Sequence, residues 1–112
     1  MTRIAPEDAH FTMVNIFTTT PEHQEQLFDV MSQGAEVMGR HPGCVSVSMH
    51  LSHDGTRLIS LTEWRTKDDF DAMRARSDLQ KYFKEVSGII TSVDPNPCRV
   101  AYSSDVAHQV QG

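Results

Sequence analysis

Hydrophobic and polar positions alternate along His10–Thr18 (HFTMVNIFT), a stretch rich in aromatic and β-branched residues that reads as a first strand. Thr20 followed by Pro21 predicts a helix start: a hydroxyl cap, then a proline at the first helical position. Leu27, Val30, Met31, Ala35 and Met38 then recur at helical spacing. The helix is expected to close at Arg40-His41, with His41-Pro42-Gly43 as the stop. Alternation resumes in CVSVSMHLSH, a second strand with Val45, Val47, Met49 and Leu51 on one face. Asp54-Gly55 predicts a two-residue hairpin turn, because both residues tolerate positive φ. TRLISLTEW is a third strand, with Leu58, Ser60, Thr62 and Trp64 on one face. Thr66 suits the cap of a second helix whose positive end meets Asp68 and Asp69. Ser77–Gln80 (SDLQ) has the capping-box pattern of a restart after a kink. Leu79, Tyr82, Phe83, Val86 and Ile90 form the buried stripe that follows. A last strand is read at CRVAYSS, entered through Asp94–Pro97 (DPNP).

This order places the chain in the α+β class. It predicts a ferredoxin-like β-α-β-β-α-β domain, one antiparallel sheet with the helices on one face. The domain is expected over residues 10–103, after an N-terminal arm (1–9) and before a flexible tail (104–112).

The turn at Asp54-Gly55 sets a register in which Leu51 faces Leu58, Met49 faces Ser60, Val47 faces Thr62 and Val45 faces Trp64. One sheet face is then apolar enough to meet the helices. The other carries Ser46, Ser48, His50, Ile59, Leu61 and Glu63, too apolar to be fully wet and too polar for an ordinary core. Such a mixed face suits packing against a second copy, so a homodimer is expected. In strand one, Phe11, Met13, Asn15 and Phe17 share the helix side. That puts a carboxamide in an apolar layer, near Ser60 or Trp64. Left unpaired there, it costs roughly 1–3 kcal/mol, so a hydroxyl such as Ser60 or Thr62, a water or a ligand must answer it. Trp64, the only tryptophan, stands where strand gives way to helix, as core filler or as the wall of a pocket.

The 112 residues suffice for one small domain and carry a formal charge of −5. No Lys/Arg stripe offers itself to nucleic acid. No apolar run approaches the roughly 20 residues of a membrane span, and the N-terminus lacks the pattern of a signal peptide. Cys44 and Cys98, at unrelated spacing, fit reduced structural thiols and a cytoplasmic protein. His50 and His53 (HLSH) would point to opposite faces of a strand, a poor metal pair. His50 fits the dimer seam better, and His53 the hairpin tip. Glu63 is expected to pair with Ser46 or Ser48, and Asp71 to support Arg74 along a solvated helix.

Asn15 in strand one, HPGCVS, SHDGTRL and EWRTKDDFDAM together resemble the antibiotic biosynthesis monooxygenase domain family, over roughly Phe11 to Tyr102. The resemblance implies a dimeric α+β barrel with a pocket between sheet and helices on the Trp64 side. The members most similar are cofactor-free oxygenases that convert anthrone-type rings to quinones with O2. Their strand-one asparagine and strand-three tryptophan match Asn15 and Trp64, which the resemblance makes catalytic. Many carry an asparagine at the position of Ser60, and a histidine of the wider family is Met73 here. Haem-degrading relatives need a histidine in that helix. None occurs between Asp54 and Ala107, so haem is not expected.

No Gly-rich dinucleotide fingerprint or metal set is present, so neither cofactor nor metal is expected. A deprotonated phenol or anthrone can itself reduce O2. The protein must then supply a dry slot, a hydrogen bond to the oxyanion and confinement of the radicals. Trp64 is the expected wall and Asn15 the expected donor. Ser60, Phe17, Met13, Met49, Thr62, Met73, Tyr82 and Phe83 are the expected substrate contacts. A cyclase, isomerase or decarboxylase acting on a similar ring, or a dimeric binding module, would use the same pocket.

Overall fold

The computed structural model describes residues 10–102, and the arm and tail expected at the two ends lie outside them. Seven elements follow one another: β1 (Phe11–Thr18), α1 (Gln24–Gly39), β2 (Cys44–Leu51), β3 (Arg57–Trp64), α2 (Lys67–Arg74), α3 (Ser77–Ile89) and β4 (Ser92–Arg99). The strands form one antiparallel sheet in the order β2-β3-β1-β4, which is the ferredoxin-like arrangement. None of the described helices is long and apolar enough to cross a membrane.

Several local expectations are corrected. Thr20 does not cap α1: its hydroxyl bonds His23 Nδ1 at 2.8 Å, Pro21 lies in a turn, and the helix proper starts at Gln24. The hairpin turn is longer than two residues. The Gly55 N–H bonds Ser52 O at 3.1 Å, so His53 and Asp54 are the central pair, and Gly55 follows at φ +80°. The register survives, with Leu51 opposite Leu58 and Met49 opposite Ser60. It slips by one at Cys44/Ser46, where a bulge pairs Cys44 with Trp64 and leaves Val45 46% exposed.

The capping box of α3 does not form. Gln80 reaches back to the carbonyls of Arg74 and Arg76, while Arg76 clasps Asp78. Thr66 does cap α2, accepting from the Asp69 N–H at 3.1 Å. Asp71 pairs with Lys67 at 2.9 Å, leaving Arg74 to lie over the Phe70 ring. Glu63 pairs with His10 rather than with a serine.

The last strand begins six residues earlier than expected, and Pro95 and Pro97 are inside it, opposite Asn15 and Met13. Prolines two apart share the side on which their N–H is missing. An edge strand tolerates that when this side faces away from its neighbour.

Gly43, in the stop after α1, is buried because a Cβ there would lie 2.2 Å from Asp69 Cγ. The Arg65 N–H bonds its carbonyl at 2.9 Å, locking the end of β3 beside the start of β2.

Candidate active site

Four cross-strand rows face the helices. Phe11, Trp64 and Cys44 form the first row, and Met13, Thr62 and Val47 the second. Pro95, Asn15, Ser60 and Met49 form the third, and Val93, Phe17, Leu58 and Leu51 the fourth. Large apolar side chains at the two ends of this face anchor two separate clusters. One gathers Met13, Trp64, Phe70, Met73 and Leu79; the other gathers Leu27, Val30, Leu58 and Val86. Asn15, Ser60 and Thr62 lie between them, and their short polar side chains cannot fill the gap under the helices. A cavity of about 390 Å³ opens there, within the size range of small-molecule sites.

Of the expected site residues, Asn15, Phe17, Ser60, Thr62, Met73, Tyr82 and Phe83 border the cavity. Ser60 and Thr62 are each 6% exposed. Asn15 Oδ1 is buried without a hydrogen-bond partner. Three expected contacts are not on the wall. Met13 is packed into the first cluster, and Met49 lies against the second from β2, a strand that contributes nothing to the cavity. Trp64 is fully buried behind the wall. Its indole N–H donates to Thr62 Oγ1 at 2.9 Å, and the edges of Phe70 and His41 pack on it at centroid distances of 5.8 Å. It shares the helix side with Asn15, but Thr62 and Phe70 stand where a wall residue would.

The helices complete the cavity with residues that sequence reading did not assign to the site. Met31, Gly34 and Met38 come from α1, where Met31 and Met38 belong to the apolar stripe read at helical spacing. Gly34 lets α3 approach: a Cβ there would lie 3.4 Å from Tyr82 Cβ. Phe70 and Arg74 come from α2, and Val93 and Pro95 from β4. Arg74 is the single charged residue among the described residues that line the cavity. It stands 5.9 Å from the Phe70 ring centre and forms no ion pair with a described residue. Among the described residues no histidine lines the cavity, and no three His, Cys, Asp or Glu side chains are grouped to hold a metal. Burial raises the Cys44 thiol above its ordinary value, but Cys44 packs beside Trp64, away from the cavity.

Residues 10–85 match the antibiotic biosynthesis monooxygenase family. The chain is also 38% identical over 104 residues to the tetracenomycin-F1 monooxygenase of Streptomyces glaucescens, covering 92% of each. The chain belongs to the antibiotic biosynthesis monooxygenase family. Among solved structures, the fold is similar to SnoaB of Streptomyces nogalater, a cofactor-independent oxygenase. That likeness has TM-score 0.72 and 19% identity, covering 87% of this chain and 97% of that one. A Shewanella oneidensis protein superposes with TM-score 0.77 at 16% identity, covering 86% of this chain and 95% of the other. At these identities the likeness to the solved structures is one of fold. This family member thus places its cavity on the helix side of the sheet, with Asn15 on the wall and Trp64 behind it.

Proposed function

We propose that this monooxygenase oxidises a polycyclic phenolic or anthrone-type metabolite to a quinone with O2 and no cofactor. The observation that carries the reading is the buried, unpartnered carbonyl oxygen of Asn15 on the wall of an otherwise largely apolar cavity. An unanswered buried acceptor costs stability, so a guest that brings a hydroxyl donor, as a phenolic ring does, is its natural partner. The names of the Streptomyces glaucescens relative and of SnoaB support the same chemistry.

In this reading the substrate loses a proton from its reactive ring carbon. The resulting carbanion passes one electron to O2, and the radical pair recombines to a peroxide. The peroxide takes up a proton and loses water to leave a carbonyl. A CH2 and one O2 thus become C=O and H2O. Asn15 Nδ2 donates to the substrate oxygen on which negative charge collects, while Oδ1 accepts from a substrate hydroxyl. Phe70, Met73 and Phe83 keep the slot dry. Arg74 suits an acidic substituent on the substrate. The protein acts as a homodimer through the open sheet face, in a cytoplasmic setting.

The test is O2 uptake with anthrone, chelator present and nothing else added. Anthraquinone formed with one O2 consumed per anthrone is the expected result. Turnover without O2 consumption would favour a cyclase, isomerase or decarboxylase. Binding without turnover would favour a binding module.

A further inference from the structure

We infer that Thr62 is a second hydrogen-bond donor to the oxyanion, and that Trp64 acts through it as a positioning residue. The inference rests on the oxygenase reading above. An indole N–H donates and accepts nothing, whereas a threonine hydroxyl has one proton and two lone pairs. Trp64 is fully buried, and its Nε1 is 2.9 Å from Thr62 Oγ1. One lone pair of Thr62 is therefore taken, and Oγ1 cannot turn its proton toward Trp64. Thr62 borders the cavity, and its hydroxyl makes no other side-chain hydrogen bond among the described residues. The proton left over has the cavity as its open direction.

Donation from the indole also polarises the hydroxyl, which strengthens its own donation onward. Met13 is the direct partner of Thr62 and Ser60 that of Asn15, so Thr62 and Asn15 are diagonal neighbours across the β1–β3 ladder. Side chains at that spacing reach the same guest. Edge contacts from Phe70 and His41 fix the indole plane, and with it the direction of the N–H. The tryptophan thus serves the site from behind the wall, by keeping a hydroxyl pointed at the substrate.

The test uses Thr62→Val, Thr62→Ser, Trp64→Phe and the double variant Trp64→Phe/Thr62→Val, with two readouts. The first is turnover of anthrone. The second is the ionisation of bound 1,8-dihydroxyanthraquinone, whose colour reports its phenolate and which is already at the quinone level. Removing one oriented donor from such a site lowers kcat by on the order of 100-fold. Thr62→Val is expected to lower kcat by that order with KM little changed, and to raise the pH at which the bound probe ionises. Trp64→Phe shifts both readouts the same way by less, and Thr62→Ser stays close to wild type.

The double variant separates chemistry from folding. It removes donor and acceptor together, so it is expected to regain stability lost in Thr62→Val while kcat stays at the Thr62→Val level. Regained activity in the double variant, or wild-type kcat and probe ionisation in Thr62→Val, would overturn the role of Thr62. Trp64→Phe losses that persist in full on top of Thr62→Val would overturn the route through it. A wild-type protein that neither binds the probe nor turns over anthrone removes the oxygenase reading itself, and this inference with it.

Discussion

Asn15 and Ser60 face each other across the β1–β3 ladder, yet Asn15 Oδ1 remains buried without a hydrogen-bond partner. An unanswered acceptor on the wall of a cavity is what a bound hydroxyl would satisfy. Replacing it by an isosteric hydrocarbon, Asn15→Leu, is expected to stabilise the fold by about 1–3 kcal/mol, the usual cost of an unsatisfied buried polar group. Turnover should fall by well over tenfold in the same variant. Denaturant melts and O2 uptake on one preparation check both halves. A loss of stability together with full activity would assign Asn15 to structure.

Arg74 is the one cationic side chain among the described residues at the cavity, and it forms no ion pair with any of them. Arg74→Gln is expected to raise KM for a carboxylated anthrone by about tenfold, the scale of one charge-assisted hydrogen bond. KM for unsubstituted anthrone should stay within twofold. The wild-type preference for the acid should also weaken as salt is added, since exposed charges are screened. Equal changes for both substrates would remove Arg74 from substrate selection.

Gly43 leaves no room for a side chain, with Asp69 Cβ only 2.4 Å from where a Cβ would stand. Gly43→Ala therefore has to push the first turn of α2 away from the entry to β2. An overpacked contact of this kind costs about 1–3 kcal/mol. The thermal midpoint should drop, and the Trp64 fluorescence should change because α2 carries Phe70 against the indole. Gly39→Ala is the control, since a Cβ there meets nothing within 4 Å.

Asp54 holds the hairpin tip together. Its carboxylate accepts from Thr56 Oγ1 at 2.7 Å, the Thr56 N–H at 3.0 Å and Ser52 Oγ at 2.8 Å. These bonds, those from Thr56 foremost, hold its pKa at about 2. An unfolded aspartate titrates near 3.9, so the unfolded chain binds more protons between about pH 4 and 2, and stability rises with pH across that window. The contribution is complete above about pH 4 and is lost as pH falls through about 2. A carboxyl-carbon NMR titration should place the Asp54 midpoint about two units below a free aspartate. Asp54→Asn should flatten the acid limb of hairpin stability.

The sheet face away from the helices exposes Leu61, and Val14, Ile16 and Ile59 share its side. Leu61→Asp would set like charges into a self-complementary seam. Sedimentation should report a dimer for the parent chain and a monomer for the variant, with the cavity residues untouched.

Much of this architecture was legible because period and punctuation agreed. The register of β2 and β3 followed from Asp54-Gly55 even though the turn is longer, because the loop adds residues equally to both arms. The bulge at Val45 was not legible, since an alternating strand with an extra residue reads the same locally. Pro95 and Pro97 hid β4, because a proline argues against a central strand and the pattern does not say which strand is an edge. The polar patch of Asn15, Ser60 and Thr62 could be read on the helix side of the sheet from the sequence. The hollow above it could not be read, since the helical stripes that carry Met31, Met38 and Val86 look the same over a void as over a core. Trp64 could be read either as core filler or as wall, since its size suits both, and its full burial off the cavity places the indole behind the wall.

The two margins of the sheet are both poor templates for another strand. Pro95 and Pro97 take hydrogen-bond donors away from the β4 margin, and the bulge between Cys44 and Ser46 bends the β2 margin out of register. Ribbon-like growth, the ordinary route from an open sheet to amyloid, is therefore frustrated at either end of this molecule. An enzyme that leaves a broad, mixed face open for company is in this way protected from unlimited company along its rims.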